Sequence, residues 1–392
     1  MVTAEKWTAR ARAIDSFKVM DLLKRARELD DLGQDVVHME AGEPDFETAP
    51  AIKRAAVEAI QTKAIQYTPA GGIAPLRERI ARFYQERYGI ELGPERVLVT
   101  PGASGGLLLA FSLLAEKGQR FMMADPGYPC NPQFLRLVEA GAQRVRVDAS
   151  TNFQLTAELV RTHWAEDTAG VLLASPANPT GAVVPPEEMS RIAATVRELG
   201  GELIVDELYH GLTYGFDAQS ALAEDDQVVV LNSFSKYFGM TGWRLGWLVA
   251  PADAIAEMEK IAQNLFISPP TLSQYAALAA FEPESIQLFE SRRRAFQERR
   301  DLLVGGLREL GFVIDTPPQG AFYVYADASA LTDNSFDWCW SLLEEDKVAA
   351  TPGADFSRFD ANKYVRFSYT TGLDRIELAL ERLARRAQRY GS

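Results

Sequence analysis

The sequence predicts an α/β protein: a mostly parallel sheet covered by helices, joined to a second, smaller α+β unit. Three observations predict it. Short β-branched runs alternate with helical patterns from about residue 95 to 250. Beyond that point the pattern changes to long helix followed by strands. The 392 residues also exceed the roughly 250 to 300 at which a single core stops growing.

The runs are "RVLVT" (96–100), "RFMMAD" (120–125), "GVLLAS" (170–175), "ELIVDE" (202–207), "VVVLNS" (228–233) and "LGWLVA" (245–250). Continuous apolar strands separated by helices indicate a sheet buried on both faces. In such sheets ligands sit at the carboxyl ends of the strands. The unusual residues fall there: "TPGASGG", "DPGYP", "SPANPTG", "DELYHG" and "SFSK" each follow a run. Residues 271–309 read as long helix, broken at "EPE". Strands are expected in "FVIDTPPQGAFYVYADAS" and "KYVRFSYTT", and a closing amphipathic helix in "LDRIELALERLARRAQRY". The helix "FKVMDLLKRARELDDLG" (17–33) is assigned to this second unit. The expected division is a large domain over 46–282, with 1–45 and 283–392 forming an N-terminal arm and small domain.

Hydrophobic residues make up 47% of the chain and charged residues 24%, an ordinary globular mixture. The 41 Lys+Arg against 54 Asp+Glu give a net charge of −13, which argues against a nucleic-acid or anionic-membrane surface. The basic stretch "SRRRAFQERRDLLVGGLREL" has apolar residues at helical spacing and reads as a solvated helix face. No run approaches the ~20 apolar residues of a membrane span, and no signal-peptide run opens the chain. With only Cys130 and Cys339, no disulfide framework is suggested, and a cytoplasmic location is expected. His38, His163 and His210 lack metal-ligand spacing and are read as structural or surface residues; no metal is expected.

The strand ends imply a ligand. "PGASGG" leads from a strand into an apolar helix, so free N–H groups and the helix dipole form an anion site. Ser233 and Arg244 can add a hydroxyl and a fixed positive charge to the same anion. The loop lacks the G-x-G-x-x-G spacing of a dinucleotide site, so a phosphate monoester is expected. Asp206 ends an apolar strand, where a buried carboxylate needs a cation to face it. Tyr209 and Asn178 bring a phenol and an amide towards the same place, and Tyr128 offers a flat face for a ring. In "LNSFSKYFGMTGWRLGW", Lys236 stands among small and aromatic residues, an odd setting for a surface cation. In "YVRFSYT", Val365, Phe367 and Tyr369 share one strand face and Arg366 stands on the other, odd for a charge unless it binds one.

Asn-Pro-x-Gly, Asp-x-x-Tyr, Ser-x-Ser-Lys and the arginine eight residues after the lysine, in this order, resemble the signature of pyridoxal-phosphate aminotransferases of classes I and II. The resemblance spans nearly the whole chain. It implies fold type I, with a mostly parallel seven-stranded sheet in the large domain, and pyridoxal 5'-phosphate as cofactor. It implies that Lys236 bonds to the cofactor's aldehyde and later moves a proton between the substrate's α-carbon and the cofactor. Asp206 is then the partner of the pyridine nitrogen, with Tyr209 and Asn178 on the ring's phenolic oxygen and Tyr128 stacked on the ring. Backbone at Ala103 and Ser104, with Ser233 and Arg244, is implied to hold the phosphate; Ser235 is either a further ligand or a packing residue. Arg366 is implied to clamp the substrate's α-carboxylate, helped by Asn178 and backbone near Gly42. Tyr67, in "QYTPAGG", resembles the tyrosine that reaches the phosphate of the neighbouring subunit, which implies a homodimer.

The loop "NLFISPPTLSQ" lacks the arginine that dicarboxylate-specific relatives often place there, which favours a neutral or small side chain. The expected activity is ping-pong transfer of an amino group from an L-amino acid to a 2-oxo acid, of alanine or glutamate type. Carbon-sulfur lyases and decarboxylases of the same fold share every cofactor residue, so a lyase stays the alternative. A transcription regulator predicts a basic N-terminal DNA-binding module, which this acidic chain lacks. A Rossmann dehydrogenase leaves Lys236, Asp206 and Arg366 together unexplained.

Overall fold

The computed structural model describes residues 7–15 and 19–390. Its strands, in chain order, begin with β1 (Val37–His38), β2 (Val97–Thr100), β3 (Arg120–Asp125), β4 (Gly141–Arg146), β5 (Thr168–Ala174) and β6 (Glu202–Asp206). They continue with β7 (Val229–Ser233), β8 (Gly246–Val249), β9 (Tyr323–Asp327), β10 (Val348–Ala349), β11 (Thr351–Pro352) and β12 (Tyr364–Ser368). One seven-stranded sheet runs in the order β2-β8-β7-β6-β5-β3-β4. All its pairs from β7 to β4 are parallel, and β8 alone runs against its neighbours.

Strand alternation builds two cores on this sheet. Leu203 and Val205 of β6 enter one and Ile204 the other; Trp247 and Val249 of β8 separate from Leu248 in the same way. All six apolar runs became strands of this sheet. The seventh, β4, has no apolar run to announce it: "GAQRVR" lies at the sheet edge and buries only Val145.

The later part forms a three-stranded antiparallel sheet, β11-β12-β9, and β1 pairs with β10 in parallel. The long helix appears as Thr271–Leu278 and Pro283–Glu309, with a break at Glu282. Proline at the first position of the second segment has no N–H to leave unpaired, so it starts a helix there and cannot continue one. The helix expected over 17–33 is seen as Val19–Asp31, and Phe17 and Lys18 lie outside the described residues. It buries Leu22, Ala26 and Leu29, packs against β10 and β11, and pairs Arg25 Nε with Glu344 Oε1 at 2.6 Å. Among the described residues no helix is long and apolar enough to cross a membrane.

The basic stretch differs from the expected solvated face. Arg299 is only 8% exposed and holds Asp45 by two hydrogen bonds, 2.8 and 3.0 Å. Arg292 and Arg299 also stack on the Phe46 ring, 5.1 and 4.8 Å from its centroid. Planar guanidinium groups can pair and stack at once, which is how this helix secures the segment that precedes the first long helix of the sheet layer. Arg299→Met removes both of these hydrogen bonds to Asp45. A loss of about 1–3 kcal/mol is expected, read as a lower urea midpoint with an unchanged m value.

Candidate active site

The parallel strands deliver their ends to one cavity of about 870 Å³, a volume suited to a small-molecule ligand. Every residue singled out from the sequence lines it except Tyr67. After β2, the helix Gly102–Leu114 begins with no side chain capping it, so its first N–H groups face the cavity free for an anion. Gly102 has φ 71°, and a Cβ there would lie 2.6 Å from Arg244 Nη2. Glycine is therefore what lets the arginine close on the helix start. Arg244, itself at φ 53°, anchors Nη1 on the Thr241 carbonyl at 2.9 Å. Ser233 ends β7, and its Oγ lies 2.9 Å from Ser235 Oγ and accepts the Ser235 N–H at 3.0 Å.

Lys236 follows at once. Its Nζ donates to the Gly42 carbonyl at 2.5 Å and stands 6.0 Å from the Tyr209 ring centroid and 5.7 Å from that of Phe322. Burial pushes its pKa down from 10.5 to about 8; Glu43 opposes this, and Arg366 and Arg244 add to it. Among the described residues the Asp206 carboxylate, at the end of β6, accepts only the Leu208 N–H, at 3.0 Å. Burial pushes its pKa up from 3.8 to about 6 against that bond and the charge of Lys236. The next residue, Glu207, faces away from the cavity and accepts from Ser220 Oγ at 3.0 Å and the Ala221 N–H at 2.7 Å. One strand residue thus decides which of two adjacent carboxylates meets the ligand.

Arg366, on β12, is 2% exposed. Nη1 donates to Asn178 Oδ1 at 3.0 Å, and Nη2 to the Glu40 carbonyl at 2.6 Å and Thr351 Oγ1 at 3.2 Å. The guanidinium lies between the rings of Tyr323 (4.3 Å) and Phe356 (4.7 Å). Among the described residues its buried Nε has no hydrogen-bond partner, which leaves a donor for a ligand.

A family profile described as aminotransferase class I and II matches residues 34–383. The chain belongs to this family. It is a transaminase, and its relatives agree. A valine–pyruvate aminotransferase of Mycobacterium tuberculosis is 40% identical over 372 residues, 94% of this chain and 96% of the relative. A (5-formylfuran-3-yl)methyl phosphate transaminase of Methanocaldococcus jannaschii is 35% identical over 372 residues, with the same coverage of 94% and 96%. The crystal structure of an aminotransferase from M. tuberculosis matches with a TM-score of 0.95 at 39% identity, covering 98% of this chain and 100% of that one.

Sequence reasoning missed parts of this aminotransferase's cavity. Tyr323 was read only as strand, yet its hydroxyl lies 2.9 Å from that of Tyr209, its ring covers Arg366, and a Cβ on Gly42 would sit 2.8 Å from it. The signal was Tyr323 and Tyr325 on one strand face, in register with Ser368 and Arg366. Val19, Met20, Leu23 and Arg27, on the N-terminal helix, also line the cavity. Tyr67 is 79% exposed and stands apart from its own chain's cavity. The histidines also lie outside it. His210 is buried with its Nδ1 3.0 Å from Tyr88 Oη, His163 Nδ1 lies 3.0 Å from the Leu159 carbonyl, and His38 bridges Asp30 and Glu40.

The Asp206 shift makes a stability prediction. With its folded pKa raised to about 6 from an unfolded 3.8, burial of its charge costs stability in full above pH 6 and nothing below about pH 4. Asp206→Asn is therefore expected to stabilise the ligand-free protein at pH 7, by about 1–3 kcal/mol, and to leave it unchanged at pH 4. Urea titrations at the two pH values check this.

Proposed function

We propose that this aminotransferase uses pyridoxal 5'-phosphate to move the amino group of a neutral or small L-amino acid to a 2-oxo acid, in two half reactions at one site. The observation that carries the reading is a lysine amine whose pKa burial lowers to about 8, in one cavity with the Asp206 carboxylate and with Arg366, whose buried Nε is unpartnered among the described residues. A cytoplasmic role in amino-acid metabolism accompanies it.

The residues present fit the cofactor. The uncapped helix at Ala103 and Ser104, Arg244 against Gly102, and Ser233 suit a dianionic phosphate. Asp206, with one N–H partner among the described residues, suits a protonated ring nitrogen, and Tyr128 and Tyr209, which line the same cavity, would flank the ring. When bound, the cofactor supplies the electron sink for the carbanion left by α-proton loss. Arg366, held flat between two rings and aimed by Asn178, fixes the substrate's α-carboxylate and so orients its α-hydrogen. Lys236 Nζ, whose neutral form burial makes accessible near pH 8, takes the proton from the α-carbon. Asp206 keeps the ring nitrogen protonated. The valine–pyruvate relative and the loop 264–274, which has no lysine or arginine, support a neutral side chain.

We further propose a homodimer in which Tyr67 leaves its own chain and completes the neighbour's phosphate site, a reading supported by its exposure.

The enzyme loaded with cofactor and given one neutral amino acid without acceptor is expected to release one equivalent of 2-oxo acid per site and no ammonia. Continuous ammonia release, the mark of a lyase, overturns the reading. Lys236→Ala is expected to lose at least about 10³-fold in turnover. Because the free amine is the nucleophile, cofactor capture by the cofactor-free protein should quicken about tenfold per pH unit up to about 8 and then level off. Stopped-flow absorbance measures it. Mixing Lys236→Ala with Tyr67→Ala protomers should restore about a quarter of wild-type activity, because each hybrid dimer regains one intact site. No recovery after subunit exchange counts against the shared site.

A further inference from the structure

Among the described residues, four cationic side chains line the cavity: Arg27, Lys236, Arg244 and Arg366. Three have tasks in the function proposed above, on which this inference rests. Arg244 closes on the helix start, Lys236 is the amine, and Arg366 is packed between rings for the α-carboxylate. Arg27 is left over.

Its setting is built rather than incidental. Val19, Leu23 and Arg27 follow one another at intervals of four along the helix Val19–Asp31, so they share the face that lines the cavity. Side chains on a helix lean towards its N-terminus, which carries the Arg27 stem back over Leu23. The adjoining face of the helix is fixed by buried Leu22, Ala26 and Leu29. Two polar ties hold the helix as well: Arg25 with Glu344, and Asp30 with His38, whose other nitrogen meets buried Glu40 at 2.7 Å.

Several nearby carboxylates are already engaged, and exposed Asp31, one turn along the helix, makes no bond to Arg27 among the described residues. Glu28 pairs with Arg25, and Asp30 pairs with His38. Of the carboxylates lining the cavity, Glu40 accepts from His38, Glu43 from Thr241, and Asp206 from Leu208. Among the described residues no hydrogen bond or ion pair engages Arg27.

We propose that Arg27 binds the distal carboxylate of a dicarboxylic amino or 2-oxo acid, in the cavity where neutral side chains lie against Val19, Met20 and Leu23. One site thereby serves two substrate classes. A neutral substrate leaves Arg27 without a partner at little cost, because the residue is exposed and its head swings into water. A second carboxylate draws it in as a charge-assisted pair.

The test compares wild type, Arg27→Gln and Lys24→Ala holoenzymes with a neutral amino donor and either 2-oxoglutarate or pyruvate as acceptor. Lys24 carries the same charge on the same helix but does not line the cavity. Arg27→Gln is expected to lower kcat/KM for 2-oxoglutarate about 10- to 100-fold, mainly through KM, while pyruvate stays within about twofold. Lys24→Ala should behave as wild type with both. Glutarate binding to the holoenzyme, by calorimetry, should weaken in parallel in Arg27→Gln alone. An equal loss with both acceptors, no loss with either, or a wild type that refuses 2-oxoglutarate overturns the inference. A wild type that transaminates no neutral amino acid defeats the function proposed above instead, and glutarate affinity still judges Arg27 by itself.

Discussion

Burial of Lys236 and Asp206 beside the same sheet edge is the constraint around which the site is arranged. Desolvation moves the two groups towards each other on the pH scale, the amine down to about 8 and the carboxyl up to about 6. For the lysine, the unfolded chain keeps a proton that the folded one releases between pH 8 and 10.5, so that cost fades only as pH rises through this window. For the aspartate, the cost appears as pH rises from about 4 to 6. Between 6 and 8 both are present, each on the order of 2–3 kcal/mol and less where cavity water reaches the groups. The ligand-free protein is thus most strained where an aminotransferase works, and a ligand that meets both groups relieves it.

Arg366 shows how the smaller sheet is tied to that edge. Its guanidinium is met by a side chain that follows β5, a backbone carbonyl that follows β1, and a hydroxyl on β11. No single element could hold it. Tyr323 covers it from β9 and also meets the Tyr209 hydroxyl, so the groups proposed for the carboxylate and for the ring share one side chain. A buried guanidinium needs partners, and among the described residues Nη1 makes one hydrogen bond, Nη2 two and Nε none, so Nε is where a ligand's oxygen has something to gain.

Most of the large sheet was legible because parallel strands buried on both faces must be apolar throughout, as "ELIVDE" and "VVVLNS" are. The edge strand β4 was not, since one exposed side lets it keep Gln143, Arg144 and Arg146. Site residues were legible where a chemical type was out of place: a lysine among aromatics, a carboxylate at the end of an apolar strand, an arginine within β12. Tyr323 escaped because a tyrosine in a strand is ordinary, and only the register with β12 reveals what its ring covers. The arginines of 291–310 misled for the opposite reason. Helical spacing shows which side is charged but not whether a partner such as Asp45 or Phe46 comes to meet it.

The cavity's walls also divide by how they are built. Asp206 and Ser233 stand at the carboxyl ends of interior strands, where strand register fixes them to within the pleat and any shift moves Asp206 out and Glu207 in. The wall formed by Val19, Met20, Leu23 and Arg27 stands on a separate helix, which contacts β10 and β11 and is tied by side chains at Arg25 and Asp30. Substitutions on that helix change the shape and charge that a substrate side chain meets without disturbing the strand register. The arrangement explains why the chemical signature was so much easier to read than the substrate: the first is constrained by burial and register, the second only by whatever lies across the cavity from them.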